Sequence, residues 1–451
     1  MRSLLAAFVC IGLAACTSEE SPPQGEGGGG SEPVGGSDTG GGGAAAYELR
    51  PMSVQLVQAI YQGTLPEIDV FASAPDGTLL SQAVSDANGV AELMVTDGGY
   101  VTSAVRTVFT AGDTDPAYFL RTIRVVPGMT DATLGPLQQD ATPNEPMHLH
   151  LEWDPVPDAD GYMVWTSCSY DESNYGAATA PSTTLDLDIV GCPNASSFGV
   201  VVTALAFNGD VSVALAQAAR TSLPFEVGSD RTETLALTPI TSDPIEVTLS
   251  NLEDPSGIVY SLGFQRAAGL IAILPNEEPS VATGEGAVTL ALPIPSLDGM
   301  VRTASVTVEL DDCSRVGFAE TREASFSTEL DPLRLALPHS SVAGGATTWT
   351  LDEGDLGDAV VISRNWLVGD IPVLWEAFEI AATEGQGPPA LELPPELAAD
   401  FTMPAEVATL ATHMDVSEAT DYATFLDLVN AETSHRFEQR TEPNCADTAQ
   451  P

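Results

Sequence analysis

The sequence predicts an all-β protein built as a tandem row of β-sandwiches. Three observations predict it: apolar residues alternate in short runs, turn signals separate those runs, and 451 residues exceed one hydrophobic core at roughly 100 to 150 residues per domain. Apolar residues make up 43% of the chain and charged residues 18%, the balance of folded domains rather than of wholesale disorder.

Residues 1–15 are expected to be an export signal. The stretch MRSLLAAFVCIGLAAC carries one basic residue, Arg2, and an apolar run from Leu4 to Ala15, too short for a helix to cross about 30 Å of hydrocarbon. The ending Leu13-Ala14-Ala15-Cys16 resembles the lipobox of bacterial lipoproteins. That resemblance implies that Cys16 becomes the lipid-modified first residue of the mature chain, and that the membrane is a partner through the anchor. It also implies a diderm bacterium, and Thr17 in place of Asp points to the outer membrane of the cell envelope. Residues 16–46, rich in Gly, Ser and acidic side chains, cannot bury enough surface to offset their ordering entropy and are expected to be a flexible tether.

Residues 47–138 are expected to form the first sandwich. Runs VQLVQAIY, EIDVFAS, LLSQAV, VAELMV and YVTSAVRTVF are separated by turns at Pro75-Asp76-Gly77, Asp86-Ala87-Asn88-Gly89 and Asp97-Gly98-Gly99. The region resembles the carboxypeptidase regulatory-like, or transthyretin-like, sandwich through its S-D-x-x-G-x-A turn at Ser85–Ala91. Modules of that kind are usually non-catalytic.

Residues 139–223 hold the stretch MHLHLEW (147–153). Period-two alternation puts Leu149, Leu151 and Trp153 on one face and His148, His150 and Glu152 on the other. Burying the leucines and the indole outweighs anything the imidazoles offer, so the histidines are expected to face solvent. Three ligands on one strand span about 13 Å, so a single ion would need donors from elsewhere, and the histidines read as a wetted strand face. Asp158-Ala159-Asp160-Gly161 reads as a turn. The pattern L-x-W-D-P-V-P-D-A-D-G-Y-x-V (151–164), with Phe198 and Asn208-Gly209 downstream, resembles a fibronectin type III domain of the immunoglobulin-like class. Phe198 stands where that family often carries a corner Tyr, so the corner hydrogen bond is expected to be missing.

Two further sandwiches are expected at 224–335 and 336–451. The first reads ETLALTPI, PIEVTLSN, GIVYSLGF, GLIAILP, AVTLALPIP and TASVTVELDD. The second reads TTWTLDE, DAVVISRNW, VLWEAFEIA, ALELPPELAADF, AEVATLATHM and YATFLDLVN, then a C-terminal tail. Each region has a run ending in Leu-Pro followed by a second run, as in a duplicated sandwich; one larger two-sheet domain over 224–451 is the alternative.

Composition excludes several functions. The chain holds 64 acidic residues against 15 basic ones, and every basic residue is Arg. Without Lys there is no Walker A lysine, no Schiff base and no Ser-Lys dyad. A net charge of -49 repels phosphate backbones, so nucleic acid is not an expected partner. No G-x-S-x-G or H-E-x-x-H motif appears, and no enzyme is expected.

Export suits disulfides, and Cys168 with Cys192 and Cys313 with Cys445 is the economical pairing. Asp352, Glu353, Asp355 and Asp358 are the weak candidates for a metal, Ca²⁺ in that case, against the plainer reading of a hydrated loop. No cofactor is expected. Trp349, Trp366 and Trp375 read as core rather than as a sugar platform. The sum is a non-catalytic binding or scaffold module with a protein or polysaccharide partner; a carbohydrate-binding or Ca²⁺-dependent adhesin is the alternative, and an enzyme without a readable motif comes third.

Overall fold

Alternation in the sequence becomes two-faced strands. Val90–Val95 buries Ala91, Leu93 and Val95 while Glu92 and Met94 face water. The computed structural model describes residues 47–442 except 59–62, 108–116, 136–145, 168–174, 190–196, 209–210, 241–243, 253–256, 268–269, 274–279, 283–285, 294–299, 311–314, 323–326, 344–345, 405–406 and 432–435. Cys16, Cys168, Cys192, Cys313 and Cys445 all lie outside them, as do the signal and the tether. The chain is all-β; among the described residues only Pro395–Phe401 and Tyr422–Ala431 are helical.

In the first sandwich, Arg50–Gln58 pairs antiparallel with Val90–Val95 and parallel with Asp131–Leu134. The S-D-x-x-G-x-A segment is a built corner. Ser85 Oγ donates to Leu65 O at 2.7 Å, while Asp86 Oδ1 accepts from Asn88 N at 2.8 Å and from Val90 N at 2.9 Å. Gly89 sits at φ +73°, and a Cβ there would meet Leu56 O at 2.9 Å, so only glycine fits.

The facing strands belong to a sheet of 13 strands. Its order is Leu270–Ile273, Gly257–Ala267, Val301–Leu310, Arg315–Arg322, Arg436–Thr441, Ala408–Val416, Ala359–Val368, Ile371–Ile380, Ala117–Arg124, Tyr100–Thr107, Asp69–Ser73 and Leu79–Val84, with Ser280–Ala282 paired to Gly257–Ala267. Strands from 47–138, 224–335 and 336–451 thus share one sheet, and from Leu49 onward the chain clusters as one unit. The junction is the parallel pair of Ala117–Arg124 with Ile371–Ile380, in register from Tyr118↔Val373 to Phe378↔Ile123. Local periodicity cannot reveal such a pairing, because each strand reads the same whichever partner it meets.

The apolar run Ala359-Val360-Val361-Ile362 follows from that position. Ala359 and Val361 enter the core beneath Arg50–Gln58, whereas Val360 and Ile362 enter a second core with Trp349, Trp366, Trp375, Leu397 and Phe401. Covered on both faces, the strand has no polar side there.

The segment 139–223 makes its own two-sheet core, and its expected end at 223 is corrected. Tyr175–Thr179, Gly161–Thr166, Ser197–Asn208, Val211–Pro224 and Thr238–Pro239 form one sheet; Thr184–Ile189, Met147–Trp153 and Asp230–Leu235 form the other. Residue 223 falls inside a strand, and Asp230–Leu235 completes the second sheet by pairing parallel with Met147–Trp153. Leu235, fully buried, belongs to this core rather than to the next one. Trp153 packs on Tyr162 at a centroid distance of 5.0 Å, and Phe198 meets Phe225 edge-on at 6.3 Å.

Two of the runs expected to build the last sandwich contain helices. In ALELPPELAADF, Pro395 opens a helix that buries Leu397 and Phe401. In YATFLDLVN, Tyr422, Phe425, Leu426 and Val429 recur at helical spacing and pack beneath the first sandwich, and Asp421 Oδ1 caps the helix by accepting from Thr424 N at 2.8 Å. The first helix and the residues just before it also cover the edge strand Leu79–Val84, with Leu79 N donating to Glu392 Oε2 at 3.1 Å and Gln82 Nε2 to Glu396 Oε1 at 2.8 Å.

Candidate functional site

Met147–Trp153 buries Met147, Leu149, Leu151 and Trp153, so His148, His150 and Glu152 project from the opposite face. The neighbouring strands decide what surrounds them. Antiparallel register sets Asp188 opposite His148 and Asp186 opposite His150, while parallel register sets Asp230 beside His148 and Thr232 beside His150. His148 Nδ1 lies 2.6 Å from Asp188 Oδ1, and His150 Nδ1 lies 2.6 Å from Asp186 Oδ1. A carboxylate only accepts, so each Nδ1 carries the proton. His150 Nε2 is 3.3 Å from Glu152 Oε1. The bond from Asp186, and then Glu152, holds the His150 imidazole above the usual histidine range.

Asp158-Ala159-Asp160-Gly161 is a turn whose carboxylate has a structural task. Asp158 takes φ +64°, and Asp160 Oδ2 accepts from Phe207 N at 2.7 Å, tying the turn to the Ser197–Asn208 strand.

The acidic loop does not gather its carboxylates. Asp352 accepts from His339 Nε2 at 2.9 Å, Asp355 from Arg334 Nη1 at 3.1 Å, and Asp358 Oδ2 from Val416 N at 2.8 Å, while Glu353 is exposed. These are separate partners on separate elements. Among the described residues no group of three or more His, Cys, Asp or Glu side chains is arranged around one ion.

What organises that end of the sheet is Arg334. Its Nε meets Glu438, its Nη2 meets Asp415, and Glu438 also pairs with Arg436. Beneath it His413, fully buried, spans two loops: Nδ1 donates to Ala336 O at 3.0 Å and Nε2 accepts from Gly357 N at 2.8 Å. Burial pushes this imidazole below the ordinary range and keeps it neutral. No sequence motif marks either residue, because their partners lie on elements far apart in the chain.

Two ion pairs lie at the parallel junction. Arg121 pairs with Glu376 directly across it, and Arg124 Nη1 with Glu379 Oε2 at 2.9 Å. Burial pushes Glu379 up to about 7 despite Arg124. Among the described residues Arg364 has no carboxylate partner; its guanidinium lies 4.5 Å over the Trp375 ring and Nη2 donates to Thr347 Oγ1 at 2.8 Å and to Pro388 O at 3.3 Å. Burial brings it down to about 10. Trp349, Trp366 and Trp375 are 3%, 7% and 3% exposed, so they are core and form no surface platform. No helix among the described residues is long and apolar enough to cross a membrane.

No family model matches the chain, and no curated protein matches it. Solved structures do. The Bacillus anthracis TIE protein is 10% identical at a TM-score of 0.16, over 63% of this chain and 49% of its own. The chain therefore spans about half the length of that protein. A streptococcal ancillary pilin is 11% identical at 0.16, over 62% of this chain and 98% of its own. BcpA, the major pilin subunit of Bacillus cereus, is 10% identical at 0.15, over 63% and 98%. Overlaps this shallow carry no functional inference.

Proposed function

We propose that this protein is a lipid-anchored component of the cell envelope that acts as a non-catalytic binding or scaffold module. Its anchor is Cys16, its spacer the Gly-rich segment to residue 46, and its folded part includes a transthyretin-like and a fibronectin type III-like sandwich. The observation that carries the reading is where the strongly perturbed charges lie. Glu379, Arg364, His413 and Arg334 each bond to backbone or side chains that join strands, which is structural use of titratable groups rather than a reacting constellation. Arginines drawn inward in this way leave the exterior acidic, which keeps the module soluble and away from nucleic acid. The partner is then a protein or a polysaccharide met through loops and sheet faces. Burial of the three tryptophans removes the ready aromatic platform for sugar, so a protein partner is favoured.

The experiment is fractionation of cells carrying the wild type or Cys16→Ser, followed by crosslinking and capture from intact cells. The wild type should sediment with outer membranes and the variant should be released. A variant that still pellets with membranes removes the anchor, and a wild type that captures no macromolecule removes the binding role.

A further inference from the structure

Arg364 is a buried cation short of acceptors. Its Nη2 is served by Thr347 Oγ1 and Pro388 O. Among the described residues its Nε has no hydrogen-bond partner, and its Nη1 donates to the thioether sulfur of Met403 at 3.8 Å. Sulfur is a weak acceptor, so one edge of a guanidinium only 3% exposed is poorly compensated for the water it has lost.

Met403 holds a position of consequence. It is half-buried, lies just beyond the helix Pro395–Phe401, and packs on the core that contains Trp349, Trp366 and Trp375. Leu397 and Phe401 of that helix enter the same core, where the Phe401 ring stands 5.1 Å from the Tyr118 ring. The contact of Arg364 with Met403 therefore ties the strand Ala359–Val368 to the segment that covers it.

Oxidation strengthens such a tie. Hydrogen peroxide transfers one oxygen to the sulfur: its O–O bond breaks, an S–O bond forms, the sulfide gives up two electrons, and the second peroxide oxygen leaves as water. Methionine sulfoxide reductases reverse the step. A sulfoxide oxygen accepts where the sulfur barely did, and the unbranched side chain can turn it onto Nη1 at about 2.9 Å. In an apolar core the new polar group disrupts packing. Beside Arg364 it meets a charged donor that lacks an acceptor, and charge-assisted hydrogen bonds are the stronger kind.

We propose that Met403 is an oxidation site whose sulfoxide, bonded to Arg364 Nη1, fastens the helix Pro395–Phe401 to the strand Ala359–Val368 more firmly than the thioether does.

The test is treatment of the full chain with hydrogen peroxide, peptide mass spectrometry to locate the added oxygen, and thermal melting before and after. Met403 should be converted at doses that convert Met94, which is 40% exposed. Oxidation should raise the melting temperature of the wild type by about 1 to 3 °C relative to its effect on Met403→Leu, a comparison that subtracts the other methionines. Arg364→Gln should abolish that gain. Without oxidant, Met403→Gln, whose amide oxygen stands in for the sulfoxide, should melt higher than Met403→Leu; both exchanges alter a half-buried side chain, so this arm stands whether or not Arg364→Gln folds. Met403 left unmodified when Met94 is fully converted overturns the proposal. So does a sulfoxide that leaves the wild type no more stable than oxidised Met403→Leu, or a Gln variant that melts no higher than the Leu variant.

Discussion

Arg124 and Glu379, 255 residues apart in the chain, form an ion pair at 2.9 Å in which the carboxylate is almost fully buried and the guanidinium one-third exposed. The pair sits where Ala117–Arg124 runs beside Ile371–Ile380, so it binds the first and last parts of the chain together. Removing Arg124 leaves a buried carboxylate uncompensated. Arg124→Ala is expected to lower stability by about 3 to 5 kcal/mol in denaturant titrations, and a loss under about 1 kcal/mol would show the junction to be unimportant.

The same carboxylate gives a pH dependence. Its folded value, about 7, stands above the unfolded 4.5, so its contribution to stability is fully present below 4.5 and is lost as pH rises through 7. Glu379→Gln should remove that fall. Denaturation midpoints at pH 5 and pH 8 for wild type and variant check it, and parallel pH responses would contradict it.

His413 acts in the opposite direction. Its folded value lies below the unfolded 6.5, so its contribution is present above 6.5 and is lost as pH falls from there toward the folded value. Protonating Nε2 breaks the bond from Gly357 N and charges a buried ring. Amide exchange at Gly357 should therefore quicken on acidification in the wild type, and in His413→Ala it should be quick at every pH; exchange that ignores both changes would exclude His413 as the clamp.

Trp153→Ala deletes an aromatic side chain from the core between the sheets of Met147–Trp153 and Ser197–Asn208, where Trp153 is 4% exposed. A loss of about 3 to 5 kcal/mol is expected by chemical denaturation. Less than about 1 kcal/mol would mean that another face of the strand is buried.

Gly385 lies against Trp349, and a Cβ there would stand 2.1 Å from the ring. Gly385→Ala is expected to be destabilising by about 1 to 3 kcal/mol through overpacking, with altered tryptophan fluorescence. An unchanged melting temperature would show that the ring moves aside freely.

Strand content was legible because burial of alternate side chains writes itself into adjacent residues, as in Val90–Val95 and Met147–Trp153. The stretch YATFLDLVN, short and largely apolar, suits a strand as well as a helix until its spacing at 422, 425, 426 and 429 is counted, and Tyr422–Ala431 is helical. The outward placement of His148 and His150 was legible; their aspartates were not. Asp186 and Asp188 lie 36 and 40 residues downstream of their partners, and register alone brings them opposite. The acidic loop 352–358 looked like one cluster, but Arg334, His339 and Val416 draw its members apart.

By itself the sequence determined the all-β class, the buried face of each alternating strand and the acidic character of the surface. These depend on side chains a few residues apart. The tertiary structure alone decided that the first and last regions share one sheet, that Asp230–Leu235 completes the core containing Trp153, and that carboxylates flank the two histidines. Strand partnership is selected by packing and hydrogen bonding between distant segments, and a strand carries the same local pattern whichever neighbour it acquires.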